Sequence, residues 1–341
     1  MSEAVLTVTF AGPHVSVQDG GRPGFLRFGV PASGALDRTA FKAANIALGN
    51  SANSPAIEIS MGGLMLQCDG GAVTFAVAGG GFVVDHAGQK RGSWMIATLH
   101  EGQKLAIRPG HWGSWCYLAF AGRLESDEWL GSAATHAMSG FGGGRLMAGR
   151  QLTIADAQIR EDREGDFPCP VFARPRSSVH VTLGPQDRYF SPDAISVLLS
   201  GPWRMTDAWD RMGVRLAGSA IAPEAALDMP SEAILRGSVQ VAGDGVATIL
   251  LADHQATGGY PKIATVLDCE LDALMQLRPR DSISFSAIDP QGAIGLARRC
   301  AATAGQYFQS LERPRGSFAQ RLMSENLIDG VIDAGDAALS A

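Results

Sequence analysis

Basic residues, and lysines above all, are scarce in this chain of 341 residues. Lysine and arginine together number 28 against 34 acidic residues, so the formal net charge is -6. Only four of the basic residues are lysines: Lys42, Lys90, Lys104 and Lys262. Nucleic-acid-binding proteins usually carry a clustered basic patch that neutralises phosphates. No such cluster is present, and the sequence therefore argues against DNA or RNA as a partner.

Cysteine pairs and long apolar runs are also missing. The five cysteines are far apart, odd in number and without a Cys-x-x-Cys pair, which favours reduced thiols in a cytoplasmic protein. No apolar run approaches the ~20 residues that a membrane helix requires, so we expect no membrane segment. Residues 1–10 alternate in the manner of a strand and carry acidic Glu3, which predicts a first strand in place of a signal peptide.

Several catalytic motifs are absent as well. The sequence has no Gly-x-x-x-x-Gly-Lys-[Ser/Thr] phosphate loop and no Gly-x-Ser-x-Gly nucleophile elbow. It also has no His-Glu-x-x-His pair and no cysteine-rich metal spacing. These absences argue against a P-loop nucleotide hydrolase, a serine hydrolase and a zinc protein, and we expect no metal site.

Glycine and proline, by contrast, are plentiful. The 42 glycines and 17 prolines cut the chain into short apolar runs, which is typical of many brief strands joined by turns. We predict a mainly β fold with a few short helices. The predicted strands include 73–78, 82–84, 104–107, 115–121, 179–183, 238–241, 247–252 and 282–287. The predicted helices are 36–48, 192–199 and 291–311, the first of them between Asp37 and Gly49 as start and stop signals.

The length is sufficient for two domains. Residues 161–176 are rich in charge and proline and poor in apolar residues, which is typical of a linker. We therefore predict one domain over 1–172, a second over 173–312, and a tail over 313–341. The tail is either a frayed terminus or a docking segment for a partner.

The segment 258–266, Gly-Gly-Tyr-Pro-Lys-Ile-Ala-Thr-Val, joins a flexible turn, one cation and an apolar strand. Gly258 and Gly259 permit backbone torsions closed to other residues and allow a ligand to approach closely. Lys262 would lie where the turn becomes a strand. We interpret the segment as the edge of an active site. The alternative is a hairpin turn with a solvated lysine at a sheet edge.

A second glycine-rich segment, 18–37, leads directly into the predicted N-terminus of a helix. Backbone N–H groups and the positive end of the helix dipole suit a carboxylate or a polarised carbonyl oxygen, and Arg22 is suited to clamp a carboxylate. Ser33 and Gly34 are candidate substrate contacts in this loop. In the alternative interpretation Asp19 pairs with Arg22 across a turn while Ser33 or Asp37 caps the helix.

Two further motifs in the second half carry candidate residues. In Asp210-Arg211-Met-Gly, Arg211 would face a pocket while Asp210 holds the turn; a surface ion pair is the alternative. In Asp-His254-Gln255, the histidine is a candidate general base, although most isolated histidines are structural. Gln255 both donates and accepts, which matches an amide or ureido group.

The chain resembles the family called allophanate hydrolase subunit 2, or biotin-dependent carboxyltransferase, which includes KipA and the C subunit of bacterial 5-oxoprolinase. The segments that carry the resemblance are 17–24 (VQDGGRPG), 29–37 (GVPASGALD), 56–60 (AIEIS), 130–132 (LGS), 210–213 (DRMG), 231–235 (SEAIL) and 258–266 (GGYPKIATV). They extend in family order over about residues 5 to 290.

The resemblance implies two cyclophilin-like β-barrel domains and a partner that is KipI-like, the B subunit of the same enzyme, with a third subunit in some settings. It implies the C subunit of an ATP-dependent enzyme that opens the lactam of 5-oxoproline to glutamate. The assembled complex would bind the ATP, and this chain need not contact it. The alternatives are the carboxyltransferase of a urea-type carboxylase, with biotin on a separate carrier, and a regulatory partner of a KipI-like kinase inhibitor. No lysine lies in an Ala-Met-Lys-Met context, so the chain would not carry biotin itself.

Both enzymatic settings involve a planar N–C=O unit, which needs donors for its oxygen and a group that manages the N–H proton. We assign the oxygen side to Lys262, Arg22 and the backbone of Gly258 and Gly259, and the proton to His254 or Asp37. Ser33, Gly34, Arg211, Gln255 and Tyr260 complete the predicted substrate contacts. Many relatives carry arginine in place of His254, which argues against a shared base there. Lys262 and Arg22 should line one cleft.

Overall fold

The computed structural model describes residues 2–224 and 229–316. Strands of the first half are β1 (Glu3–Ala11), β2 (Ser16–Gln18), β3 (Ala56–Ser60), β4 (Leu64–Gly70), β5 (Ala72–Ala78), β6 (Val83–His86), β7 (Gln89–Gly92), β8 (Met95–His100), β9 (Lys104–Arg108), β10 (Trp115–Phe120), β11 (Arg123–Leu124), β12 (Gln151–Ala155) and β13 (Gly165–Asp166). Strands of the second half are β14 (Ser178–Leu183), β15 (Trp203–Trp209), β16 (Gly213–Ala217), β17 (Glu232–Ala233), β18 (Ser238–Val241), β19 (Ala247–Leu250), β20 (Thr257–Gly258), β21 (Lys262–Val266) and β22 (Ser282–Ala287). The α-helices of the described residues are α1 (Arg38–Leu48), α2 (Pro192–Ser200), α3 (Asp268–Met275) and α4 (Pro290–Glu312).

The strands of the first half form two sheets around one core. One sheet has the order β11-β12-β1-β4-β9-β6-β7, and the other β13-β8-β5-β10-β3-β2. Successive side chains of a strand point to opposite faces, so every second residue of a strand faces the core. Leu6 on β1 and Phe75 on β5 are such residues, and both belong to the same buried cluster. On the outer face of the second sheet, Ala76 and Ala78 pack against Phe41 of α1.

The second half contains a closed barrel with the order β14-β21-β18-β19-β16-β15-β22. Its core includes Val179, Val239 and Ile263, and Leu36 and Trp115 of the first half belong to the same buried cluster. The two halves therefore share a continuous apolar contact. Outside the barrel, β17 and β20 pair as a short antiparallel sheet of two strands that carries Gly258.

The prediction of a mainly β fold with a few helices is confirmed. Each strand predicted above is present within a few residues of its predicted limits. Helix α1 begins after Asp37, whose side chain accepts from the Ala40 N–H as an N-cap, and ends at Gly49 in the left-handed conformation. Helix α3 was missed, because Leu267 at its N-cap position offers no capping side chain.

The segment 161–176 is more than a linker. Its Phe167 and Ala173 are buried against α1, and residues 165–166 form a sheet strand. The sheet strands of the first half end at Asp166 and the barrel begins at Ser178, so a domain boundary at residue 172 stays a prediction. Residues 317–341, most of the predicted tail, lie outside the described residues. None of the helices in the described part is both long and apolar enough to cross a bilayer.

Candidate active site

Lys262 is the first residue of β21 and lies inside the barrel wall. Pro261 ends the preceding turn, and the run from Ile263 to Val266 favours a strand that pairs with β14 on one side and β18 on the other. Lys262 is only 1% exposed, so the alternative of a solvated lysine at a sheet edge is wrong. Its ammonium Nζ has no hydrogen-bond partner among the described residues. Burial lowers the pKa of Lys262, and the Glu232 carboxylate raises it by a smaller amount.

Gln186 holds the backbone of Lys262 and was not found by sequence reasoning. The Lys262 N–H donates to Oε1 of Gln186 at 2.9 Å, and the Gln186 N–H donates to the Lys262 carbonyl at 3.2 Å. The glutamine is fully buried, and within the described part of the chain its Nε2 has no partner. The available sequence signal was weak: a Gly-Pro break after a strand, followed by one glutamine.

The turn before Lys262 is lined with amides. A side chain at Gly258 would place its Cβ 2.8 Å from Cδ1 of Ile234 and 3.0 Å from Nε2 of Gln240, so only glycine fits there without a shift. Gln255 donates to Oε1 of Gln240 at 3.4 Å, and Gln240 donates to the Tyr260 carbonyl at 3.3 Å. Tyr260 is 47% exposed, and a Cβ added at Gly259 would lie at ordinary contact distance from the Met229 carbonyl oxygen, 3.6 Å, and from Ser231 Oγ, 3.8 Å.

Arg22 is buried in the glycine-rich loop of the first half. Its Nε donates to the Trp129 carbonyl at 3.3 Å, Nη2 donates to the Ala134 carbonyl, and the guanidinium stacks on the Trp129 ring at 4.9 Å. Nη1 is left without a partner among the residues described. The Asp19 carboxylate instead accepts from Ser132 Oγ and the Ala133 N–H, both at 2.7 Å, so Asp19 shapes the loop instead of pairing with Arg22 across a turn.

Arg211 is the centre of a buried ion cluster at the junction of the halves. Its Nε and Nη2 donate to Asp253 at 3.0 and 3.1 Å, and Nη1 donates to Glu58 at 2.5 Å. Nη2 also donates to the carbonyl of Gly34 at 2.7 Å. Both the predicted surface ion pair and an open, pocket-facing Arg211 are therefore corrected, since each of its three nitrogens serves a protein oxygen. Burial would raise the pKa of Asp253, but the adjacent Arg211 outweighs it and lowers that pKa.

Asp210 and Ser33 both fix the local backbone. Asp210 holds its turn as expected, with Oδ1 accepting from the Met212 and Gly213 N–H groups at 2.7 and 3.2 Å. Ser33 adopts a left-handed backbone with φ of 54°, and its N–H donates to the Ala252 carbonyl at 3.2 Å. The loop of the first half is thereby anchored to the second half beside Asp253.

Asp37 and His254 are the two candidates for handling a proton. Both carboxylate oxygens of Asp37 are engaged, one by the Ala40 N–H at 2.9 Å and the other by Nε2 of Gln276 at 2.6 Å. Burial, with a smaller contribution from Asp272, raises the pKa of Asp37 to about 7. His254 is buried, its Nδ1 lies 2.7 Å from the Gln255 carbonyl, and burial lowers its pKa. The neutral ring donates through Nδ1, which leaves Nε2 as an acceptor.

The predicted residues thus follow the junction of the two halves. A chain of contacts leads from Gly34 through Arg211 and Asp253 to His254 and Gln255, and through Gln240 to the strand of Lys262. Arg22 lies close enough to Asp253 and Arg211 for their charges to affect its pKa: Asp253 raises it and Arg211 lowers it. Asp37 belongs to a separate branch with Gln276. A single cleft shared by Lys262 and Arg22 stays a prediction, because the contacts connect them only through other residues.

Comparisons with known proteins agree with this architecture. The chain is 35% identical over 289 residues to the C subunit of 5-oxoprolinase from Haemophilus influenzae, covering 84% of this chain and 92% of that protein. It is similar to the crystal structure of TTHA0988, with 33% identity and a TM-score of 0.74 over 83% of this chain, but spans only 55% of that longer chain. It also matches the K. lactis urea amidolyase structure at 26% identity and a TM-score of 0.79, over 90% of this chain and 20% of that one. The family model described as carboxyltransferase domain, subdomain A and B, matches residues 28–287. The chain belongs to this carboxyltransferase domain family.

Proposed function

We propose that the chain is the C subunit of an ATP-dependent 5-oxoprolinase, which opens the lactam of 5-oxoproline to glutamate together with a KipI-like B subunit and a third subunit. The observation that carries the proposal is the buried Lys262, whose ammonium lacks a hydrogen-bond partner in the described structure. A buried cation without a partner is costly unless a ligand oxygen completes it. The likeness to the C subunit of 5-oxoprolinase over 92% of that protein supports the choice of substrate.

The chemistry assigned to this site is the polarisation of a planar amide. Lys262 and Nη1 of Arg22, which has no partner among the described residues, are donors suited to a carboxylate and to an amide oxygen that becomes more negative as water adds to the carbonyl carbon. Nε2 of His254 or the carboxyl group of Asp37 is suited to carry the proton that reaches the ring nitrogen when the C–N bond breaks. ATP would act in the assembled complex, and its binding residues need not belong to this chain. We also propose a cytoplasmic location, which the free thiols of all five cysteines favour.

A carboxyltransferase role in a urea-type carboxylase is the second candidate, favoured by the structural match to K. lactis urea amidolyase. In that role a separate carrier would bring biotin, and the same donors would face a ureido oxygen. The distinguishing experiment combines the co-purified subunits with ATP and either 5-oxoproline or urea plus bicarbonate. Glutamate formation without biotin would establish the first candidate, whereas biotin-dependent consumption of urea would replace it with the second.

Replacing Lys262 tests the assigned site. In the assembled complex, Lys262→Met should lower kcat/KM for 5-oxoproline by about 10² to 10³, the usual loss when one donor to a developing oxyanion is removed. The matched control is Lys104→Met, because Lys104 is an exposed lysine on β9. A Lys262→Met complex that turns over at the rate of the control would contradict the assignment.

A further inference from the structure

The most unusual feature around Lys262 is that two residues bonded to each other each carry a buried donor without a partner in the described structure. Nζ of Lys262 and Nε2 of Gln186 have no hydrogen-bond acceptor in the described residues, although both side chains are at most 1% exposed. Buried polar atoms are almost always paired, and an exception calls for a ligand, an ordered water or a catalytic role. Among the unpaired atoms of the described residues, these two belong to residues that hydrogen-bond to each other twice.

The connection between these two residues is rigid. The Gln186 amide is fixed through Oε1, which accepts from the Lys262 N–H at 2.9 Å, and the backbone N–H of Gln186 returns a bond to the Lys262 carbonyl at 3.2 Å. Because the amide is planar, a held Oε1 keeps Nε2 on the opposite side of the group. Gln186 thus presents an NH₂ group that meets no acceptor among the described residues.

The surroundings favour an anionic ligand oxygen over a cation. Both free atoms are donors, and one belongs to an ammonium group. The carboxylate that raises the pKa of Lys262 belongs to Glu232, whose side chain is 40% exposed. Its Oε1 lies 3.7 Å from Nη2 of Arg188. No hydrogen bond or ion pair between Glu232 and Lys262 is found in the described structure, so the ammonium remains available. Gln240 and Gln255 lie beside it with their amides bonded to other groups.

We propose that Gln186 and Lys262 form one donor pair that binds a single anionic oxygen centre of the substrate, either its carboxylate or the amide oxygen that becomes negative during reaction. The ligand class rests on the proposed function: a small acidic lactam carries both kinds of oxygen. Gln186 is then a substrate-binding residue. The neighbouring Gln240 is not part of the pair, because Nε2 donates to Tyr260 and Oε1 accepts from Gln255.

The scarcity of lysine provides a direct readout. Labelling the ε-carbon of lysine in the full chain gives signals from four side chains, and the signal absent from Lys262→Met identifies Lys262. The probes are 5-oxoproline, 2-pyrrolidinone, acetate and urea. We expect 5-oxoproline to shift the Lys262 signal, and Gln186→Leu to weaken that binding by about tenfold or more, as for a lost hydrogen bond to a charged group. The control Gln158→Leu removes an exposed glutamine of the first half and should change the binding by less than about threefold.

Gln186→Glu provides a second variant of nearly the same shape. It places a carboxylate against Lys262, so it should raise the pKa read from the Lys262 signal and abolish the response to anionic probes while thermal melting shows a folded chain. A Lys262 signal that ignores all four probes in the wild-type chain, or responds equally in wild type and Gln186→Leu, would overturn the donor pair. A response to urea alone would overturn the anionic oxygen centre, because urea is neutral, and with it the binding of 5-oxoproline at this pair. Glutamate formation by the assembled complex tests that substrate separately.

Discussion

At the scale of single residues, Asp37 has a structural contact on each carboxylate oxygen. It caps α1 through the Ala40 N–H and binds Gln276 of the other half, while its own N–H donates to the Tyr117 hydroxyl at 2.8 Å. A fully buried carboxylate is costly to ionise, and burial raises its pKa to about 7. The residue predicted as a proton carrier is therefore also a pH-sensitive element of the fold.

The pH dependence of stability follows from that shift. Between the ordinary pKa of 3.8 and about 7, the folded chain holds a proton on Asp37 that the unfolded chain has lost. The free energy of unfolding should therefore fall as the pH rises through this window, with a slope of up to about 1.4 kcal/mol per pH unit from this group. Asp37→Asn cannot ionise and should lose this contribution. Urea unfolding at several pH values measures the difference.

The control for this prediction is Asp193→Asn, since Asp193 is an exposed carboxylate in the first turn of α2. Its unfolding free energy should follow the wild type from pH 4 to pH 7, within about 0.5 kcal/mol. Equal slopes for Asp37→Asn and the wild type would show that Asp37 is ionised in the folded chain throughout this range.

At the scale of elements, the ends of α1 and α4 meet on one arginine. Arg163, in the segment predicted as a linker, donates from Nη1 to the carbonyls of Ala47 at 3.0 Å and Leu311 at 3.2 Å, and from Nη2 to that of Glu312 at 2.8 Å. Carbonyls at a helix C-terminus lack intrahelical partners and carry partial negative charge, so one buried guanidinium satisfies both helices. Helix α4 follows the barrel in sequence, and these hydrogen bonds of Arg163 fix its end to the first half.

Arg163→Met should release the end of α4. The carbonyls of both helices would lose their partner, and we expect stability to fall by about 1 to 3 kcal/mol with faster amide hydrogen exchange in the last turns of α1 and α4. Arg298→Met is the control, because Arg298 is exposed on α4. Unchanged exchange in both helices would mean that apolar packing alone holds α4.

At the scale of the whole molecule, Gln276 joins the halves. Its Oε1 accepts from the Ser114 and Trp115 N–H groups at 2.9 and 3.2 Å, and its Nε2 donates to Asp37 at 2.6 Å and to the Trp115 carbonyl at 2.9 Å. A fully buried amide with four partners belongs to a network that is favourable only when complete. Together with the Arg211 cluster, it makes the junction a precise polar interface.

Removing this amide should uncouple the halves. Gln276→Leu leaves several buried groups of the first half unpaired, each costing about 1 to 3 kcal/mol, so the single calorimetric transition expected for the wild type should move to lower temperature and separate into two. Gln158→Leu, at an exposed glutamine, should melt as the wild type does. One transition at the wild-type temperature for Gln276→Leu would contradict a coupling role.

Local patterns in the sequence determined the strands, the caps of α1, the glycine-rich turns and the family motifs, because each depends on neighbouring residues and on the side-chain periods of strands and helices. Only the tertiary structure decided that Lys262 is buried, that Arg211 binds Glu58 and Asp253, and that Gln186 accompanies Lys262. These facts depend on partners that lie tens of residues or more away in the chain, and no local pattern shows that a single charged or amide side chain is buried or which group it binds. The packing of segment 161–176 was missed for the same reason, because α1 and β8, which contact it, lie far away in the chain. Helix α3 was missed because Leu267 provides no local start signal.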